Sequence, residues 1–116
     1  MDPAQPIPEQ QPRPLVQVDP KFIYVFDSIF KASKGSRCCL KWKEFLKAMS
    51  SVGFSHKPAE SGGAARLLTP PATITGTTIV LHQPHDGELN AQYQNNIAHM
   101  LHTVYGWEKG TFVAGA

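Results

Sequence analysis

The amino-acid sequence predicts an α+β domain in the order α-α-β-β-β-α, a three-stranded antiparallel sheet packed against helices. Three observations carry this expectation. Apolar residues recur at helical spacing in three stretches: Phe22, Val25, Phe26, Ile29 and Phe30; Trp42, Phe45, Leu46, Met49 and Val52; and Tyr93, Ile97, Met100, Leu101 and Val104. Between the second and third stretches, three short runs at 54–57, 64–69 and 77–82 read as strands separated by proline and glycine. Gly53-Phe54 and Gly106-Trp107 each place a helix stop before a large aromatic, the pattern of a left-handed cap with an apolar clasp.

Residues 1–18 hold Pro3, Pro6, Pro8, Pro12 and Pro14 among scattered glutamines, a composition that favours unpacked chain, so they are expected to be a disordered leader. Pro3-x-x-Pro6 has the spacing of a polyproline ligand but lacks a flanking arginine anchor. The folded domain is expected over 19–110, with 111–116 a flexible tail. Asp19-Pro20 supplies an N-cap and a proline at the first helical position, where its missing N–H costs nothing, and the helix is expected to run to near Gly35. After a basic loop, the second helix puts Lys41, Lys43, Glu44 and Lys47 off its apolar face.

Pro58 to Gly63 suits a hairpin loop longer than two residues, and Pro70-Pro71 forbids continuation of the second strand. The third strand alternates, with Ile79 and Leu81 on one side and Val80 and His82 on the other. Asp86-Gly87 reads as a tight turn into the last helix, which starts at Glu88 or Asn90 and ends at Tyr105. On that helix His99 and His102 fall away from the apolar stripe, and Trp107 is expected to fold back as a core anchor.

At 116 residues the chain holds one core, since single cores usually occupy about 100 to 150 residues. No apolar run approaches the roughly 20 residues needed to span a bilayer, and the N-terminus lacks the basic start and apolar core of a secretory signal. An intracellular location, cytoplasmic or nuclear, is the expectation. Cys38 and Cys39 are adjacent, a geometry that disfavours a bridge between them, and are read as free thiols. Charge is lopsided: residues 21–47 hold seven basic side chains against Asp27 and Glu44, whereas 68–116 hold Lys109 against Asp86, Glu88 and Glu108. A basic patch of this kind meets either phosphates or solvent.

His82-x-x-His85 and His99-x-x-His102 are weak candidates for a metal site, since no C-x-x-C pair accompanies them. No metal and no cofactor is expected. His85 is read as a turn residue, and His82, placed beside Arg66 on the open side of the sheet, as a ligand contact.

In element order and residues the stretch 42–107 resembles the HicA-type mRNA interferases, whose α-β-β-β-α unit is similar to double-stranded-RNA-binding domains. Gly53-Phe54 matches the family's Gly-Phe helix end. Leu81-His82-Gln83-Pro84-His85, followed by Glu88-Leu89, resembles its Pro-x-His and Glu-Leu passage into the closing helix. A group of uncharacterised fungal domains is also similar, through Gly62-Gly63-Ala64-Ala65, His82 to His85 and Tyr105-Gly106-Trp107. The interferase likeness implies an RNA partner. It departs from the family where the ribonuclease histidine of a Gly-Ser-His stretch belongs, because this chain reads Ser61-Gly62-Gly63-Ala64-Ala65 there. Alanine cannot move a proton from a 2′-hydroxyl.

The expectation is therefore a non-catalytic RNA-binding domain that contacts duplex RNA through Lys41, Lys43, Lys47, Lys57, Arg66 and His82. A protein-interaction module or homo-oligomer is the alternative. A ribonuclease with a relocated site, drawing on His82, His85 or His56, is the third reading.

Overall fold

A computed structural model describes residues 15–31 and 39–115; the leader up to Pro14, and Lys34, Gly35, Arg37 and Cys38, lie outside the described residues. In chain order the elements are β1 (Val16–Val18), α1 (Ile23–Ile29), β2 (Leu40–Lys41), α2 (Trp42–Ser51), β3 (Ser55–Pro58), β4 (Ala65–Thr69), β5 (Ile79–His82), β6 (Glu88–Leu89), α3 (Ala91–Tyr105) and β7 (Phe112–Ala114). The chain is thus α+β, with β3-β4-β5 forming a three-stranded antiparallel sheet.

Asp19 caps the first helical segment by accepting the Lys21 N–H at 3.1 Å, and Pro20 opens a 3₁₀ turn that leads into α1. α1 stops at Phe30, earlier than Gly35, because the Lys31 N–H turns back to the Ser28 carbonyl while the Phe30 ring packs 5.4 Å from Phe112. α2 ends as its sequence requires. Gly53 takes φ of 97°, its N–H bonds to Ser50, and the Phe54 N–H reaches Met49, the paired hydrogen bonds of a Schellman stop. Phe54 and Met49 are both buried, closing the clasp.

Within the sheet, residues directly opposite each other share a face. Arg66 lies opposite Leu81, Leu68 opposite Ile79, and His56 opposite Leu68, so these five positions define the inner face, where Leu68, Ile79 and Leu81 are buried. Lys57, Leu67, Val80, Ala65 and His82 define the outer face. The Ala59 N–H bonds to the Ala65 carbonyl, which makes Pro58 and Arg66 a non-hydrogen-bonded pair and turns the missing N–H of Pro58 toward the outer edge of β3. At the other end, Pro70 has no N–H to offer Thr77 across the extended β4-β5 register. The Thr77 carbonyl accepts the Tyr105 hydroxyl instead, at 2.6 Å.

Asn90 caps α3 by accepting the Tyr93 N–H at 2.8 Å, and Gly106 ends it at φ of 75°. Its buried face is Gln94, Ile97, Leu101 and Tyr105; Tyr93, Met100 and Val104, expected within the stripe, flank it half-buried. Glu88 is not helical but pairs in β6 with Lys41 of β2.

The leader and tail expectations are corrected where they meet. Val16–Val18 pairs in parallel with Phe112–Ala114, and the Gly115 N–H adds a bond to the Val18 carbonyl at 2.8 Å. Val18 and Thr111 are buried, so both ends of the described chain close the core beneath α1. Burial of Val18 and the stacking of Phe112 on Phe26 at 4.3 Å favour this pairing over solvated chain.

Burial pushes the Tyr105 hydroxyl up to about 12, from an ordinary value near 10. Between those two values the unfolded chain loses a proton that the folded chain keeps, so this group's contribution is complete below about pH 10 and fades toward about pH 12. Thermal melts from about pH 9 to about pH 11.5 should show a steeper fall in Tm for the native chain than for Tyr105→Phe. Equal slopes would contradict this assignment.

Candidate functional site

The β3-β4 loop turns through Gly62 and Gly63, with φ of 82° and 69°, values that side chains rarely adopt. This turn brings the carbonyls of Gly63 and Ala65 under the Arg66 guanidinium, whose Nη1 donates to both at 3.0 Å. Across the sheet the Gln83 N–H bonds to the Ala64 carbonyl at 2.9 Å, holding the exit of β5 against the start of β4. The chain then turns at Pro84 to Gly87, closed by the Gly87 N–H on the Pro84 carbonyl, and Asp86 accepts the Glu88 N–H.

Gly63, Ala64, Arg66, Gln83, Pro84 and His85 line the resulting shallow hollow of about 290 Å³. None of these side chains is acidic. The Arg66 guanidinium makes the hollow a cationic recess. Nη1 donates to two carbonyls, which orients the guanidinium; among the described residues its remaining N–H groups carry no hydrogen bond and can meet an anion in a two-pronged contact.

The expected pairing of Arg66 with His82 is corrected: they stand on opposite faces, because β4 places Arg66 against Leu81 and Ala65 against His82. Arg66 instead shares its hollow with His85, a residue read from the sequence only as a turn former. Gln83 was missed altogether. Its signal was present in the Gly62-Gly63 turn, which sets the start of β4, but only the register of β4 on β5 brings the two segments together. Ala64 and Ala65, the positions at which the interferase likeness puts a histidine, lie directly beside Gln83 and His82.

The six positions expected to meet RNA divide into groups. Lys57 and His82 are exposed on the outer face of the sheet, with Leu67, Val80 and Ala65 between them. Lys41 lies opposite Glu88, and the neighbouring Trp42 N–H bonds to the Gly87 carbonyl, so Lys41 adjoins the turn that carries His85. Lys43 and Lys47 are exposed on α2, off the face that buries Trp42, Phe45 and Met49. Glu44 tempers their charge. The Tyr24 hydroxyl first, then the Lys41 backbone N–H and the charges of Lys41 and Lys47, hold its carboxyl below the usual carboxylate range.

The histidines do not converge. His56 registers with the inner face at the edge strand β3, His82 stands on the outer face of β5, and His85 lies in the following turn. His99 and His102 are exposed on α3, where His102 Nδ1 lies 3.0 Å from the Trp107 carbonyl oxygen. Among the described residues no group of three or more histidine, cysteine or carboxylate side chains could hold a metal ion. Cys39 is a free, exposed thiol. No helix among the described residues is long and apolar enough to cross a membrane. In comparisons with known proteins, no family model, curated protein or solved structure matches the chain.

Proposed function

We propose that the chain is a non-catalytic RNA-binding domain that seats a backbone phosphate of duplex RNA in the hollow between Arg66 and His85. The observation that carries this reading is the pre-oriented Arg66 guanidinium in a recess lined by no acidic side chain. Duplex RNA is recognised largely by shape and by contacts to phosphates and 2′-hydroxyls, so a recess with further cations around it suits that ligand. Lys41 beyond the turn supplies such a neighbour, whereas Lys57 and His82 stand on the opposite, outer face of the sheet and Lys43 and Lys47 form a separate patch on α2.

Fluorescence anisotropy with a duplex of about 20 to 30 base pairs, one to two footprints of a typical duplex-binding domain, tests the reading. Binding at low salt should weaken as salt rises. Arg66→Gln should reduce affinity about tenfold or more, the loss of a charge-assisted contact, whereas Lys43→Ala should change it by less than about threefold. No binding at low salt, or equal affinity for Arg66→Gln, would overturn the proposal. Incubation with total RNA separates binding from cleavage: RNA cut by the native chain and spared by His82→Ala or His85→Ala would move the reading to a relocated ribonuclease.

A second reading, an interaction module, draws on a different observation. Val80 is 45% exposed and lies beside Leu67 on the open face of the sheet, an apolar spot that the RNA reading does not use.

A further inference from the structure

The two edges of the three-stranded sheet differ in how they are protected. Edge strands offer unpaired backbone groups to any passing chain, and proteins usually blunt them with charge or proline. β3 is blunted in this way, by Lys57 and by Pro58, whose missing N–H falls on the outward side. β5 is not: from Thr77 to His82 it carries no lysine, carboxylate or proline.

The alternation of the antiparallel ladder identifies which groups are on offer. The Gln83 N–H to Ala64 carbonyl bond makes His82 and Ala65 a non-hydrogen-bonded pair, so Leu81 and Ile79 bond inward to β4, and the N–H and C=O groups of Val80 and His82 point outward. The His82 carbonyl accepts the Tyr93 hydroxyl. Among the described residues, no hydrogen bond engages the Val80 N–H, the Val80 carbonyl or the His82 N–H.

We infer that the outer edge of β5 pairs antiparallel with β5 of a second copy of this chain, about a two-fold axis at Val80. The edge is complementary to itself in that register. The Val80 N–H and carbonyl exchange bonds with the same groups of the second copy, and the His82 N–H meets the Thr78 carbonyl of the second copy, whose Thr78 N–H shares the two lone pairs of the His82 carbonyl with the Tyr93 hydroxyl. No like charges face each other across the axis, since each His82 lies opposite a threonine. Val80, exposed in the single chain, is then covered by its counterpart, and the outer faces join into one apolar strip from Leu67 to Leu67 of the second copy. An unrelated extended peptide would share the backbone bonds but not the fixed register or the Val80 contact.

Pairing of such short strands buries well under the roughly 1,200 Å² of a stable interface, so the dimer is weak, with a Kd on the order of 100 μM. Sedimentation equilibrium of the full chain, without RNA, from about 10 μM to about 1 mM covers that range. The mean mass should rise from 12.7 kDa toward twice that value. Val80→Lys brings two like charges together on the axis and should weaken the dimer at least tenfold, while its exposed position leaves the circular dichroism spectrum unchanged. Amide exchange at Val80 and His82 should slow as concentration rises, a readout independent of any variant. A constant 12.7 kDa across the range, or a dimer indifferent to Val80→Lys with no slowing at those amides, would overturn the inference. Arg66→Gln should leave the dimer intact, which keeps this result separate from the RNA-binding one.

Discussion

Trp107→Ala is expected to lose about 3 to 5 kcal/mol of folding stability, the largest effect of any single truncation in this chain. Trp107 is 1% exposed and stands where four segments meet. Its ring lies 6.1 Å from Phe26 of α1, 5.7 Å from Phe54 at the end of α2, 5.2 Å from Tyr105 of α3 and 5.3 Å from Phe112 of β7. Three of the four contacts are edge-on, the arrangement that sets the positive edge of one ring against the negative face of another. Removing the indole leaves a hole bounded by elements that are also tied elsewhere, so the site cannot collapse around it. Since small domains are stable by about 5 to 15 kcal/mol in total, the variant should be substantially unfolded near physiological temperature. Chemical denaturation followed by circular dichroism measures this directly. Trp107→Phe should retain part of the lost stability and His102→Ala, exposed on α3, nearly all of it. A cost below about 1 kcal/mol for Trp107→Ala would remove the indole from its central place in the core.

The anchoring role of Trp107 was legible in the sequence because its signal is local: a helical stripe, a glycine stop and a large aromatic within a few residues. The same holds for Gly53-Phe54. Phe112 was not legible, since β1 and β7 are three residues each, too short for a period, and pair across nearly the whole chain. β2 and β6, at two residues each, are shorter still. The site shows a related limit. Ile79 and Leu81 alternate with Val80 and His82, so the two faces of β5 could be told apart, and the burial of Ile79 and Leu81 matches them. The run Ala65-Arg66-Leu67-Leu68-Thr69 does not alternate, and its phase is set only by the register on β5. A one-residue ambiguity there decides whether Arg66 joins His82 or His85.

Gln94 was the other residue hidden by its own chemistry, because an amide reads as solvent-facing, whereas this one is fully buried. It occupies the turn of α3 before Ile97, on the same buried face. Its Oε1 accepts the Ser28 hydroxyl at 2.6 Å and its Nε2 donates to the Leu89 carbonyl at 2.9 Å, so one side chain ties α3 to α1 and to β6. Gln94→Leu keeps similar volume but withdraws those partners from a buried hydroxyl and a buried carbonyl. Each such loss costs about 1 to 3 kcal/mol, and the variant is expected to lose about 2 to 4 kcal/mol in all. Adding Ser28→Ala removes the other half of the Ser28–Gln94 contact, so the double variant should be more stable than the sum of the two single losses, by about 1 kcal/mol. Strict additivity would show that the Ser28 contact carries no coupling. The consequence reaches the candidate site, because β6 follows the turn that holds His85: without the Gln94 bond to the Leu89 carbonyl, the wall of the Arg66 hollow loses one of its ties to α3, the Tyr93 bond to the His82 carbonyl remaining. Weaker RNA binding by Gln94→Leu, measured at a temperature where the variant remains folded, is the expected signature of that link.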